Sequence, residues 1–467
     1  MSSVPATAAP AERVTTTAER IKVGAAVIVG TTIEWYDFFI YAFAANLVFA
    51  PLFFEPAGKT AGFLLSLLTI GLSFLFRPLG AFLAGHFGDR IGRRPMLVIT
   101  LILMGGATTA IGLLPTYTGI GLAAPILLVG LRIVQGIAAG GEWGGAVLMS
   151  VEHAPRGKRG LFGAFPQLGV PLGMIMASAI LALTSTVAQG DAFMTWGWRV
   201  PFLVSIVLVF IGFVIRRTVE ESPIFTEMAE HRKRESAPIV EVFRSYGGLV
   251  VLSALLFAGN NAVGYMTTGG YIQGMATRPI EEGGFGYNPV HVQLAVLGAA
   301  AVWFLSTLIS GWLCDIFGRK AILLIGFAIT LVTVVFLFEA AKNGPLGIFM
   351  GTGLVSIGLG FTYGPQAVMY AETFPAHIRF SGVAISYAIG AILGGAFAPT
   401  IAQTLLSSTG TTWSIVIYLG VMTLVGAAAT ALLRERRDVP LSIEAEEDGT
   451  WAAWRGDKVD PSAAPVR

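Results

Sequence analysis

The segment GHFGDRIGRR (residues 85–94) returns 226 residues later as GWLCDIFGRK (311–320), and that return decides the fold. Asp89 matches Asp315, Gly92 matches Gly318 and Arg93 matches Arg319, and each copy closes a long apolar run. A second set repeats at an offset of 220: Glu152, Pro155 and Arg159 against Glu372, Pro375 and Arg379. Two motifs returning near one period describe a chain made of two similar halves.

Outward from these motifs, apolar runs of about 20 residues, enough to cross ~30 Å of hydrocarbon, occur twelve times. They cover roughly 23–50, 61–86, 95–114, 121–150, 160–185, 198–216, 247–274, 289–313, 321–340, 345–370, 380–406 and 412–433, with glycines interrupting the fourth and seventh. Of the 467 residues 54% are hydrophobic and 12% charged, where a soluble protein carries about 25% charged residues. Lipid is therefore the expected solvent. With the N-terminus in the cytoplasm, 24 of the 30 Lys and Arg lie on that side and 4 on the other. The bias predicts a plasma (inner) membrane protein with both termini cytoplasmic.

The expected organisation is an N-terminal tail at 1–22, a six-helix bundle at 23–216, a charged linker at 217–246, a second bundle at 247–433 and a C-terminal tail at 434–467. This is an all-α integral membrane protein of twelve helices in two pseudo-symmetric halves. Residues 1–20 lack the apolar core of a cleaved signal, and that stretch and residues 438–467 read as mobile polar segments. Cys314 stands alone, so no disulfide or cysteine metal cluster is expected. No soluble basic domain points to nucleic acid.

Charge inside the spans is the chemical signal. A charged side chain at mid-bilayer costs at least ~2.5–3.5 kcal/mol on insertion scales, so it is expected to have a partner and a task. GTTIEWYDFFIYAF (30–43) carries Glu34 and Asp37 three residues apart, on one helical face. Counting rise per residue puts Arg132 of the fourth span at a similar depth, so Arg132 is the expected partner of both. A substrate anion that takes over Arg132 removes their counter-charge and favours the protonated carboxyl. A hundredfold coupling of this kind is about 2.7 kcal/mol. Asp37 is the preferred proton carrier and Glu34 the second; a static ion pair fixing helix packing is the alternative. Arg77 and Glu142 lie deeper and are candidates to pair with each other or to handle the leaving substrate. Gln135 shares the fourth span with Arg132. In the second half the polar candidates are neutral: Asn260, Asn261, Tyr265 and Tyr271 in the seventh span, Tyr363 and Gln366 in the tenth, joined by Gln167 from the fifth.

At EWYDFF, GHFGDRIGRRP, RIVQGIAAGGEWGGA (132–146) and EESPIF (220–225) the chain resembles the major facilitator superfamily, and within it the metabolite:proton symporter family, over about residues 20–435. SVEHAP (150–155) and WGWRVPF (196–202) look most like shikimate-type members. The resemblance implies alternating access and a central cavity lined by the first and fourth helices. It also implies a cytoplasmic gate in which Arg93 and Arg159 bracket Glu152, mirrored by Arg319, Glu372 and Arg379. Asp89 and Asp315 are placed to meet helix N-termini, and Arg94 joins the first loop. Ile316 stands where the first copy has Arg90, which weakens the second loop.

The function expected is therefore uptake of a small organic acid with a proton, by a monomer in a bilayer, without a metal or cofactor. The alternative is a zwitterion such as proline or betaine, whose ammonium would need aromatic faces, with Trp35, Tyr36 and Tyr41 the candidates. An ATP-driven pump is excluded, because the single GKT (58–60) has Phe53 at the first glycine position of a phosphate loop. The five histidines fall in loops or at span ends and form no catalytic set, so no enzyme is expected.

Overall fold

The computed structural model describes residues 17–91, 93–155, 157–218, 238–268, 270–441 and 449–453. Within these it describes backbone alone at 17–19, 84–91, 93–97, 216–218, 238–241, 265–268, 282, 450 and 453. The described chain is helical throughout. Its long helices are α1 (Thr17–Leu47), α2 (Lys59–Ile91), α3 (Arg93–Leu113), α4 (Ala123–Ala139), α5 (Glu142–Glu152), α6 (Arg159–Val187) and α7 (Arg199–Thr218). There follow α8 (Pro238–Thr268), α9 (Tyr271–Thr277), α10 (Pro289–Phe317), α11 (Arg319–Ala341), α12 (Gly344–Thr373), α13 (Arg379–Ala391), α14 (Ala398–Thr409) and α15 (Trp413–Leu432).

Among the described residues, eleven spans are long and apolar enough to cross a bilayer, with Val98–Leu113 as a shorter twelfth. Three are broken. The fourth span divides into α4 and α5 at Gly140–Gly141, and the seventh into α8 and α9 at Gly270, which caps α9 at φ 88. A Cβ at Gly270 would also come within 3.0 Å of the Ala42 carbonyl, so both the turn and the approach of α1 require glycine. A π-turn at Ile392–Ala396 separates α13 from α14. The seventh span starts at Pro238, nine residues before the expected 247, because the apolar pattern begins only after the polar first turns of α8.

Large side chains such as Ile206 and Phe210 on α7, or Val332 and Phe336 on α11, stand exposed on successive turns. The interior instead takes small and polar residues. In lipid there is no hydrophobic drive between helices, and small residues let backbones approach closely. A Cβ on Gly140 would lie 2.0 Å from the Arg77 carbonyl, and one on Gly136 2.3 Å from that of Ser73. Contact therefore clamps α4 onto α2 and fixes the depth of Arg77 and Arg132.

On the face where α1 begins and α15 ends, the two halves touch directly. A Cβ on Gly160 of α6 would lie 2.3 Å from Cys314 Sγ and 2.6 Å from the Gly311 carbonyl on α10. On the opposite face a vestibule of about 1180 Å³ opens between α1, α2 and α6 of the first half and α9, α10 and α14 of the second, with Asn46, Lys59, Arg278, Gln293 and Gln403 on its walls. Among the described residues the two halves meet at the termini side and part at the other.

Candidate functional site

The two carboxylates of the first span have different surroundings. Asp37, fully buried, accepts hydrogen bonds from Thr108 Oγ1 at 2.8 Å and Ser205 Oγ at 2.7 Å. Arg132 reaches it through two neutral groups. Arg132 Nη1 donates to Gln135 Oε1 (3.1 Å), and Gln135 Nε2 donates to Thr108 Oγ1 (2.7 Å). Arg132 is further held by the Thr69 carbonyl at 3.3 Å and lies over the Tyr41 ring at 3.9 Å. The expected direct Asp37–Arg132 pair is thus replaced by a relay, because α3 inserts Thr108 between α1 and α4.

Glu34 turns to Arg77 instead, with Nη2 and Oε1 3.5 Å apart. Arg132 was the expected partner of Glu34, and Arg77 takes that place at this distance. Glu142 opens α5 at the break in the fourth span and is buried. Tyr387 stacks on Trp143 (3.8 Å, 14°) and on Phe257 (4.3 Å, 20°). None of Thr108, Ser205, Trp143, Phe257 and Tyr387 was singled out by sequence. A lone hydroxyl or ring in an apolar helix carries no spacing signal.

Two aromatic candidates are otherwise engaged. Tyr36 donates to the Pro201 carbonyl at 2.7 Å and is fully buried against α7, so its hydroxyl is spent on packing and it is withdrawn as a substrate contact. Tyr41 donates to Thr69 Oγ1 (2.7 Å), and Arg132 already covers its ring. Trp35 packs among Phe38 and Phe39. An aromatic cage for an ammonium is therefore not formed by these three.

The neutral candidates of the second half do come together. Asn260 accepts from Thr362 Oγ1 (2.5 Å) and donates to Gln366 Oε1 (3.4 Å), while Tyr363 donates to Asn261 Oδ1 (3.4 Å). Asn261 Nδ2 is buried without a hydrogen-bond partner among the described residues. Gln167 joins the halves by accepting from Trp143 Nε1 (3.2 Å) and donating to the Tyr363 carbonyl (3.3 Å). Tyr271 sits apart, with its hydroxyl on Gln403 of the vestibule. The Tyr265 side chain lies outside the described residues.

At the termini side the repeated charges form one network. Arg319, fully buried, holds Glu372 through Nε and Nη2, both at 3.1 Å. Arg159 crosses from the first half to Glu372 at 3.8 Å. Asp315 accepts from the Gly160 and Leu161 amides at the N-terminus of α6 (2.8 and 2.9 Å), where the helix dipole favours an anion. Arg379 holds the Phe374 and Leu441 carbonyls. Glu152 ends α5, and the side chains of Asp89, Arg93 and Arg94 lie outside the described residues.

The C-terminal segment completes this network, and Asp438, Val439 and Leu441 do so against the expectation of a mobile tail from residue 438. Glu435 accepts from the Arg319 amide (2.5 Å), Asp438 contacts Arg319 Nη2 (3.3 Å), and Arg159 donates to the Val439 carbonyl (2.6 Å). Val439, Leu441 and Trp451 pack in one cluster with Leu148 and Val151 of the first half and Ile322 and Val368 of the second. Their apolar surface, hidden at termini otherwise rich in charge, was outweighed in the sequence by the polar residues around it.

Twelve membrane helices, buried charges between them and a closed charged face opposite an open vestibule define a membrane transporter, not an enzyme. The chain belongs to the major facilitator superfamily. Residues 23–244 match the model "Sugar (and other) transporter" and residues 268–461 the model "Major Facilitator Superfamily". Among curated relatives, the inner membrane metabolite transport protein YhjE of Escherichia coli is 37% identical over 90% of this chain and 95% of its own. The shikimate transporter of E. coli is 34% identical over 87% and 92%, and the E. coli proline/betaine transporter 30% over 89% and 84%. The solved proton:xylose symporter XylE superposes with a TM-score of 0.72 at 18% identity, covering 92% of this chain and 100% of its own, and so shares the fold.

Proposed function

We propose that this chain takes up a small organic acid, of shikimate, aromatic or di- or tricarboxylate type, by symport with protons. The observation that carries this reading is the buried path from Arg132 through Gln135 and Thr108 to Asp37. The Thr108 hydroxyl holds a single proton. With Asp37 ionised it turns to Oδ2, and with Asp37 protonated it is released to the Met104 carbonyl, 2.9 Å away. A substrate carboxylate at Arg132 cancels the positive charge that steadies Asp37 as an anion, so substrate and proton favour each other's binding. Asp37 is the proton carrier of choice and Glu34 the second. Asn261, Gln366 and Gln167 supply neutral hydrogen-bonding groups for the substrate's remaining oxygens, and the engaged Tyr36 hydroxyl and the Tyr41 ring under Arg132 favour an acid over a zwitterion.

In this reading the bundles 23–216 and 247–433 rock about the site while the charged face opens and closes. The termini lie in the cytoplasm of a cell whose inner membrane holds the protein, as the Lys and Arg bias predicts. A monomer suffices, because the site is built within one chain, and the proton is the only coupling ion, with no cofactor.

De-energised cells expressing the chain in light buffer receive shikimate, aromatic acids, dicarboxylates, citrate, proline and betaine in turn while external pH is recorded. Alkalinisation with an organic acid, lost in Asp37→Asn, is the expected result. Alkalinisation confined to proline or betaine replaces the acid with a zwitterion. Entry of labelled acid without proton movement overturns the coupling.

A further inference from the structure

We propose that the vestibule carries a second binding site, built by Asn46 of α1, Gln293 of α10 and Arg278 just past the end of α9, for a carboxylic acid that also bears hydroxyl groups. The proposal rests on the reading of the substrate as an organic acid. It narrows that reading to a hydroxylated acid, held at the mouth before it reaches Arg132.

The short helix α9 packs on both α1 and α10, and each of these neighbours brings a buried amide to the vestibule wall. Asn46 is 8% exposed and Gln293 2%. Asn46 Nδ2 donates to the Ala42 carbonyl at 2.8 Å, which fixes the amide and leaves Oδ1 as an acceptor. Neither Asn46 Oδ1 nor Gln293 Oε1 has a hydrogen-bond partner among the described residues. A buried acceptor left in that state is costly, and such a group in a native fold calls for a donor. On one side α9 closes against Asn46, since a Cβ on Gly274 would lie 2.9 Å from Oδ1. Asn46, Gly274 and Gln293 all line the vestibule, so its contents are what the two acceptors meet.

Charge supplies the other end of the ligand. The Arg278 amide donates to the Gly274 carbonyl at 3.0 Å, one helical turn on, which sets its backbone about 6 Å nearer the mouth. Its guanidinium lies over the Phe63 ring of α2 at 4.2 Å, a contact between the two halves that holds it at the wall. Lys59 adds a second cation, against the single carboxylate of Glu55 among the residues that line the vestibule. The walls therefore carry net positive charge, which draws an anion. Cations at the mouth and acceptors a turn deeper suit a molecule with an acid at one end and hydroxyls at the other. Its carboxylate faces Arg278 and Lys59, and its hydroxyls donate to Asn46 and Gln293. A hydroxyl that reproduces the bond of the water it displaces loses nothing by the exchange, whereas an apolar ring leaves both acceptors unanswered.

Binding is read by equilibrium dialysis of the purified protein in detergent against labelled shikimate, which carries an acid and hydroxyls on one ring. The wild type is expected to bind a second molecule per chain beyond the one at Arg132. Gln293→Leu, which keeps the side chain's size and deletes the acceptor, should lose the second molecule and keep the first. Arg132→Lys should do the reverse, weakening the first several-fold and sparing the second. Labelled cyclohexenecarboxylate, which keeps the ring and the acid without hydroxyls, should fill the Arg132 site alone. Should Gln293→Leu not purify, Arg278→Gln makes the same comparison from the half-buried mouth. No bound shikimate, or one molecule per chain that Gln293→Leu leaves untouched, overturns the proposal. Equal filling of both sites by cyclohexenecarboxylate also overturns it, because the vestibule would then read charge alone. Dialysis requires no transport, so failed uptake of the acid leaves a second, Gln293-dependent molecule standing. Proton-coupled uptake with binding at Arg132 alone removes the vestibule site and nothing else.

Discussion

At the residue scale, the shape of Arg132 matters as much as its charge. Its guanidinium lies 3.9 Å over the Tyr41 ring while donating to Gln135 and to the Thr69 carbonyl, which a lysine ammonium cannot do at once. Arg132→Lys is expected to raise the apparent KM for the acid about tenfold or more, read from initial uptake rates; an unchanged KM would remove Arg132 from the substrate site. Thr108→Val tests the relay separately. It deletes a donor to buried Asp37 and an acceptor for Gln135, a loss of about 1–3 kcal/mol. Proton-driven accumulation should fall at least tenfold while gradient-free counterflow stays within about twofold. Equal loss of both would make Thr108 a packing residue. The charges themselves were legible, because Glu34, Asp37, Arg77 and Arg132 are conspicuous in apolar runs. Their pairing was not, because depth along each helix leaves rotation about it open, and a threonine from a third helix decided which carboxylate Arg132 serves.

At the element scale, close backbone approach sets where these groups sit. Gly140 and Gly145 share the GGEWGG stretch, yet only the first is pressed to its neighbour. A Cβ on Gly140 would meet the Arg77 carbonyl at 2.0 Å, whereas one on Gly145 finds nothing nearer than Phe380 at 3.9 Å. Gly140→Ala should therefore lower the melting temperature by several degrees, through overpacking of about 1–3 kcal/mol, and Gly145→Ala should leave it nearly unchanged. Equal melting of the two would deny the clamp between α2 and α4. The small-residue spacing in this stretch made close contact readable from the sequence, but it could not say which glycine bears it. The broken fourth and seventh spans were likewise readable from glycine, while the early start of α8 was hidden by polar residues in its first turns.

At the scale of the whole molecule, the repeated motifs converge on Glu372, which joins both halves and the C-terminal segment. It receives Arg319 from α11, Arg159 from α6 and the Asp438 amide. Breaking a buried ion pair by removing one partner costs about 3–5 kcal/mol, because the other charge is left buried. Glu372→Gln leaves the buried Arg319 guanidinium and the half-buried one of Arg159 facing a neutral amide, and the strap of residues 434–441 loses the anchor for Asp438. That strap carries Arg434, Arg436 and Arg437, so trypsin reads its docking directly. Cleavage at these arginines should be slow in the wild type, where Arg437 holds the Asp315 and Ile316 carbonyls and Arg436 the Trp451 carbonyl, and many-fold faster in Glu372→Gln. Asp438→Asn, which spares the Arg319–Glu372 pair, should give an intermediate rate. If instead Glu372→Gln is cleaved no faster than the wild type, the strap is held by its apolar residues alone. Closure of the charged face would then owe nothing to the tail, and the two halves would meet through the repeated motifs only.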